Sequence, residues 1–154
     1  MKKSACILLA CLVALGCERS DPPETLVTEY DQQEMDAAIA RARGEVDSFI
    51  AELQKSDGEN FFVKVPIEDN GKGEHFWLNN VTYRDGKFEG TVNNEPGIVT
   101  NITIGQKLRV NKSEISDWMY LRDGKMYGNY TLRPLMKSMP EDEAAQIRSI
   151  LVAP

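Results

Sequence analysis

His75 is the only histidine in the 154-residue chain, and the chemistry open to it depends on which carboxylates the fold brings alongside. With Glu95 or Asp117 orienting its ring, His75 could serve as the general base of a small hydrolase. Glu74 and Glu95 could instead act as paired carboxylates, one acid and one base. A zinc site built on a single imidazole would need carboxylates for nearly every other ligand, so neither a metal nor a cofactor is expected. Each candidate also has a plain scaffold role. His75 reads as a strand residue hydrogen-bonded at a sheet edge, Trp77 and Trp118 as buried anchors of a small sheet, and Asp117 as a residue that caps a bulge or faces solvent. Taken for recognition rather than catalysis, His75, Trp77, Asn94, Glu95 and Asp117 form one candidate binding surface. In that reading a carboxylate is held at the tip of the Asn94-Glu95-Pro96-Gly97 turn.

Thiol chemistry is confined to one end of the chain. Cys6, Cys11 and Cys17 all lie in the first seventeen residues. Met1-Lys2-Lys3 followed by the apolar run from Ala5 to Gly16 has the form of a signal peptide, too short for the roughly 20 apolar residues of a membrane-spanning helix. Val13-Ala14-Leu15-Gly16-Cys17 resembles a bacterial lipobox, in which the cysteine is acylated and becomes the first residue after cleavage. Ala14 and Leu15 depart from the usual residues at their positions. Ala14-Leu15-Gly16 also satisfies the small-x-small rule of the ordinary signal peptidase, which would cut at the same bond. The expectation is a signal peptide over 1–16 and a lipid on Cys17, since acylation removes an otherwise unpaired thiol from an oxidising compartment. Cleavage there leaves a domain without a disulfide, a thiolate nucleophile or a cysteine ligand. Residues 17–30, with Pro22-Pro23 among polar neighbours, then form a tether. The place expected is the bacterial envelope, facing the periplasm, with Glu18 after the cysteine leaning toward the outer membrane over the inner. The membrane is met through the lipid alone, and the partner expected is another envelope protein.

Removal of Lys2 and Lys3 takes the formal charge from −6 to −8. Such a balance repels phosphate backbones and anionic lipid surfaces, and no basic cluster opposes it. Nucleic-acid binding is set aside on that ground.

The candidate residues must be positioned by the elements of one domain, 31–154. From Asp31 to about Lys55 apolar residues recur at helical steps, through Met35, Ile39, Ala42, Val46, Phe49, Ile50 and Leu53, behind a capping pair of Asp31 and Glu34. A period of two follows. Phe61, Val63, Val65 and Ile67 share one face, and Pro66 suits an edge or strand end. His75–Tyr83 and Lys87–Asn94 flank the Asp85-Gly86 turn, a hairpin whose register sets Tyr83 opposite Phe88, Asn79 opposite Val92 and Trp77 opposite Asn94. That register puts His75 and Trp77 on the face of Val81 and Phe88. Asp123-Gly124 repeats the turn, Leu108-Arg109-Val110 forms a further strand, and Pro140 with three acids after it opens a closing helix.

Gly73-Glu74-His75-Phe76-Trp77, Asn94-Glu95-Pro96, Gly105-Gln106-Lys107-Leu108, Ile115-Ser116-Asp117-Trp118-Met119 and the run Asp123–Arg133 together resemble the YegJ-like bacterial proteins, domain of unknown function 2314. The resemblance covers roughly Met35 to Leu135 and implies one compact domain in a family that includes small exported lipoproteins. It carries no activity or catalytic residue. The expected fold is α+β: a small antiparallel sheet of four to six strands, a long N-terminal helix packed on it, and a short C-terminal helix. The expected function is a non-catalytic envelope lipoprotein that binds through its sheet face or the Asn94 loop, with the His75 hydrolase as the alternative.

Overall fold

The computed structural model describes residues 30–153. The signal sequence, Cys17 and the segment before Tyr30 lie outside the described residues. Six antiparallel strands form one sheet: β1 (Glu59–Asp69), β2 (Lys72–Arg84), β3 (Lys87–Val92), β4 (Lys107–Asn111), β5 (Asp117–Arg122) and β6 (Lys125–Gly128), in the order β4-β3-β2-β1-β5-β6. Four helices accompany it, α1 (Gln32–Gly44), α2 (Val46–Lys55), α3 (Leu132–Leu135) and α4 (Glu141–Ile150). The α+β class is the one expected.

The long first helix is instead two. Asp31 caps α1 by accepting from Glu34 N at 2.9 Å, and the helix stops at Glu45, whose φ and ψ are −103° and 5°. Gly44 is a weak helix former. Glu45 is drawn sideways by Arg41 Nε at 2.9 Å and by the Tyr130 hydroxyl. The apolar periodicity runs straight through this break, which hides it from sequence inspection. The bend lets α2 drive Val46, Phe49 and Ile50 onto the sheet, while α1 fully buries only Ala42.

Phe49 stacks on Trp118 with ring centroids 5.2 Å apart, and the indole Nε1 donates to Ala42 O at 2.8 Å, so one side chain both packs and pins the helix layer. Phe76, Leu78, Phe88, Val63 and Val65 complete this core.

Two extra residues shape the sheet. The β2–β3 pairing begins as expected with Tyr83 opposite Phe88, but a bulge between Asn79 and Thr82 shifts it by one, so that Leu78 faces Val92 and Asn79 faces Thr91. Asn80 takes the extra residue's strain in the left-handed region at φ 50°. A one-residue slip exchanges faces. Phe76 and Leu78 therefore join the helix-covered core, and Trp77 belongs to the opposite face, against the expectation that it sat with Val81 and Phe88. A similar irregularity between Glu59 and Phe62, with Asn60 at φ 54°, adjusts β1 against β5.

The second face is covered by a segment read only in part from the sequence. Phe62, Trp77, Met119, Met126 and Leu132 cluster there beneath Met136, Met139, Ile147 and Leu151 of α3, α4 and their connections. Beyond α4 the chain lies along β6, with a parallel bridge between Met126 and Leu151 and Val152 N donating to Met126 O at 2.9 Å. Pro66 lies in a central strand, yet β5 pairs with β1 only as far as Lys64, so Pro66 has a neighbour on one side alone, His75 of β2. No ladder bond is lost there.

Candidate functional site

The candidate residues gather on the second sheet face and on the loop beside it. In one cross-strand row Trp77 pairs with Lys64 and Lys64 with Asp117. Lys64 Nζ sits 4.8 Å from the centre of the Trp77 ring and donates to Thr131 Oγ1 at 3.0 Å. That hydroxyl donates to Asp117 Oδ2 at 2.6 Å, closing a lysine–threonine–aspartate relay.

Asp117 does not face solvent; it is wholly buried. Burial raises its carboxyl above the usual range, opposed by the Lys64 charge and by its donors. Those donors are Trp118 N at 2.8 Å and Tyr130 N at 3.1 Å on Oδ1, with Thr131 N at 2.7 Å and the Thr131 hydroxyl on Oδ2. Four donors fill the acceptor positions of a carboxylate. Asp117 thus fixes the turn that leads from β6 into α3 and has no lone pair left for a substrate. Burial in turn depresses the Lys64 ammonium, and Asp117 partly restores it. Lys64 stood unremarked on the polar side of its strand; only the register across three strands shows what it meets.

His75 is exposed, but its Nδ1 edge turns inward to Ser116 Oγ at 2.8 Å, and Ser116 is buried. Desolvation of that edge, with the nearby Lys64 and Arg43 charges, pushes the imidazole down to about 4. It is neutral at physiological pH. His75 makes no hydrogen bond to Glu95 or Asp117, so the base-and-orienter pair of a hydrolase is not assembled in this geometry.

Asn94 is half-buried, and its side chain accepts from Trp77 N at 2.9 Å. Asn93 N donates to Trp77 O at 2.9 Å, and the loop and the His75 end of β2 leave the sheet together. Glu95 is exposed and has no partner among the described residues.

The carboxylate that organises this loop is Glu74. It accepts from three consecutive amides, Gly97 N at 2.9 Å, Ile98 N at 2.8 Å and Val99 N at 3.2 Å. These bonds outweigh its burial and hold its carboxyl below the usual range. Asp69 takes Thr100 N at 2.8 Å and Thr100 Oγ1 at 2.7 Å, and Asn101 Nδ2 donates to Glu68 O at 2.9 Å. Val99 and Ile102 are buried at 3% exposure each, while Ile98 and Ile104 stand out at 47% and 48%. The fourteen residues 93–106 between β3 and β4 are therefore a pinned loop with two isoleucines in solvent.

Residues 32–150, from the first residue of α1 to the last of α4, match the family described as an uncharacterized protein conserved in bacteria (DUF2314). The chain belongs to this family. Its relatives include the uncharacterized protein YegJ of Escherichia coli K12, 46% identical over 151 residues that cover 97% of this chain and 99% of YegJ. A putative ankyrin repeat protein of Neisseria meningitidis serogroup B is 37% identical over 89 residues, 54% of this chain and 35% of that protein. No solved structure matches. Family membership thus extends across both helix layers and all six strands, including Lys64, Glu74, Asp117 and the 93–106 loop.

Proposed function

We propose that this is a lipid-anchored protein of the bacterial envelope whose domain is a non-catalytic binding module, and that it recognises a partner protein through the 93–106 loop. The pinned loop carries the reading. Loops of more than about 12–15 residues without secondary structure are uncommon in compact domains and tend to be functional. This one has its backbone fixed by Glu74 and Asp69, two buried apolar anchors and two exposed isoleucines. A fixed backbone lowers the ordering cost of association. Exposed His75, beside the loop's root, and Glu95 would add directional polar contacts at the rim.

In this reading Cys17 carries the acyl chains and residues 17–30 hold the domain off the membrane, the outer membrane being favoured by Glu18. The chemistry of the site agrees with binding rather than turnover, because the Asp117 acceptors are filled and the Ser116 hydroxyl that His75 meets is buried away from any substrate.

The test is photo-crosslinking in intact cells from a reactive analogue placed at position 98. A discrete protein adduct should form, and Ile104→Asp should diminish it. Adducts that scatter over abundant proteins, or that persist at full strength in Ile104→Asp, would refute the loop as the recognition element. Mass spectrometry of the protein recovered from membranes tests the anchor, and an unmodified Cys17 terminus in the soluble periplasm would remove the lipid while leaving export intact.

A further inference from the structure

The sheet is split at one end. β1 and β2 pair from Asp69–Lys72 to Val63–Leu78, and the same register continued would set Phe61 opposite Asn80 and Asn60 opposite Val81. It stops there instead. Each strand goes on pairing with its other neighbour, β1 with β5 at Glu59 and β2 with β3 as far as Arg84, and each carries its extra residue at this level. Asn60 and Asn80 both hold left-handed backbone, at φ 54° and 50°. A bulge bends and twists the strand that bears it. Two bulges set across from each other turn β1 and β2 apart and leave a fork.

The fork is a cleft of about 550 Å³, within the roughly 300–1,000 Å³ range of ligand sites. Half-buried Leu53, Phe61 and Tyr83 and buried Val81 give it an apolar lining, and exposed Gln54 stands on its α2 side. Arg84 and Lys87 flank a two-residue turn and exchange ladder bonds, so antiparallel alternation aims the N–H and C=O of Tyr83 away from β3 and into the fork. With β1 turned aside, Tyr83 has no ladder partner on that side among the described residues. Glu59 is the only charged residue lining the cleft; it is exposed and has no ion-pair partner among the described residues. The chain as a whole carries a formal charge of −6, which favours the approach of a cation.

We propose that the fork docks an extended segment of a partner protein, apolar at its centre and basic at its ends. The segment adds to the inner edge of β2 and pairs with Tyr83. An aliphatic side chain enters between Leu53, Phe61 and Val81, and a lysine or arginine meets Glu59. Strand addition draws affinity from main-chain bonds and specificity from pockets for alternate side chains, and the fork supplies both. It lies at the Tyr83 end of β2, opposite the His75 end that roots the 93–106 loop, and is therefore a second surface.

Acetyl-Lys-Val-Leu-Val-Lys-amide titrated into the purified protein, followed by backbone amide shifts, tests the site. Saturable shifts are expected from Glu59 to Phe61 and from Val81 to Tyr83, with slowed exchange of the Tyr83 amide and no change in the 93–106 loop. The same peptide N-methylated at every residue keeps its side chains and loses its donors, and should bind about tenfold more weakly or worse. Replacing both lysines by glutamate should weaken binding about threefold or more, a difference that Glu59→Gln should reduce. Gln54→Trp narrows the mouth from an exposed helical position, so it should keep the fold and abolish the shifts. No saturable shifts, equal binding of the N-methylated or the glutamate peptide, a lysine preference untouched by Glu59→Gln, or unchanged binding in Gln54→Trp would each overturn the proposal. Shifts at Val81 to Tyr83 that grow with protein concentration in the absence of peptide would assign the fork to a second copy of the chain and overturn it as well. If Gln54→Trp fails to fold, the peptide comparisons still decide it.

Discussion

Replacing Asp117 by Asn keeps the size of the side chain and removes the charge and one acceptor. In whichever orientation the amide settles, its NH2 meets donors: Trp118 N and Tyr130 N on one side, or Thr131 N on the other. The Thr131 hydroxyl can rotate to accept, but a backbone N–H cannot, so at least one buried donor is orphaned at about 1–3 kcal/mol. The remaining bonds lose their charge assistance, and the half-buried Lys64 ammonium loses the nearby charge that partly restores it. Lys64 and Asp117 meet through Thr131 rather than as a direct ion pair, so the orphaned donor and the weakened bonds carry most of the loss, which we expect to be about 3–5 kcal/mol in total for Asp117→Asn. With a urea slope of about 1.5 kcal/mol per M, the unfolding midpoint should fall by roughly 2–3 M. Lys64→Met probes the same pair from the other side. Asp117 retains its four donors and the methionine can still pack on Trp77, so the loss should be less than half as large. Urea denaturation followed by tryptophan fluorescence measures both. Equal losses in the two variants would refute the argument that the hydrogen-bond network, rather than the charge pair, makes Asp117 indispensable.

His75 should titrate near 4 when its ring proton shifts are followed by NMR, well below the ordinary histidine value of about 6.5. Since the folded value lies below the unfolded one, the unfolded chain binds the proton first, and this residue's contribution to stability is lost as pH falls from about 6.5 to 4; a midpoint above 6 would show that the ring is freely hydrated. Glu74→Gln replaces a charged acceptor of three amides, and hydrogen exchange at Gly97, Ile98 and Val99 should accelerate roughly ten- to a hundredfold, with exchange in β1 unaltered. Gly86→Val and Gly124→Val force β-branched side chains to φ of 75° and 70°, so thermal denaturation should report losses above about 1 kcal/mol in each. Gly128→Ala should be worse, at about 4 kcal/mol or more, because a Cβ there would lie 2.3 Å from Trp118 O.

Both hairpin turns were legible because Asp-Gly admits positive φ at both central positions, and the structure has Asp85, Gly86, Asp123 and Gly124 all in that region. Strand parity in β1 was equally legible, since Phe61, Val63, Val65 and Ile67 share the helix-covered core. The bulge was not. Extending the hairpin register from its turn carried a one-residue error into everything before Asn80, and so placed Trp77 on the wrong face. The adjacent Asn79-Asn80 pair was the available signal, because asparagine tolerates the left-handed conformation that a bulge demands. The break at Glu45 escaped because apolar spacing records which residues face inward, not whether the helix axis bends. Glu74 was weighed only as half of a carboxylate pair. Its actual partners are amides some twenty-three to twenty-five positions away, which no local pattern reports.

The bridge from residues 151–152 to β6 bears on crowding. A sheet with two free edges can recruit strands from its neighbours, and the proposed tether would concentrate copies in two dimensions, where such encounters are frequent. Here one edge is occupied by the protein's own backbone, and the other, β4, alternates exposed Lys107, Arg109 and Asn111 with partly buried leucine and valine. A fusion or truncation that pulls Leu151 and Val152 away would therefore do more than alter a terminus. It would open an unguarded strand on every molecule at once and turn a closed edge into a surface that can polymerise.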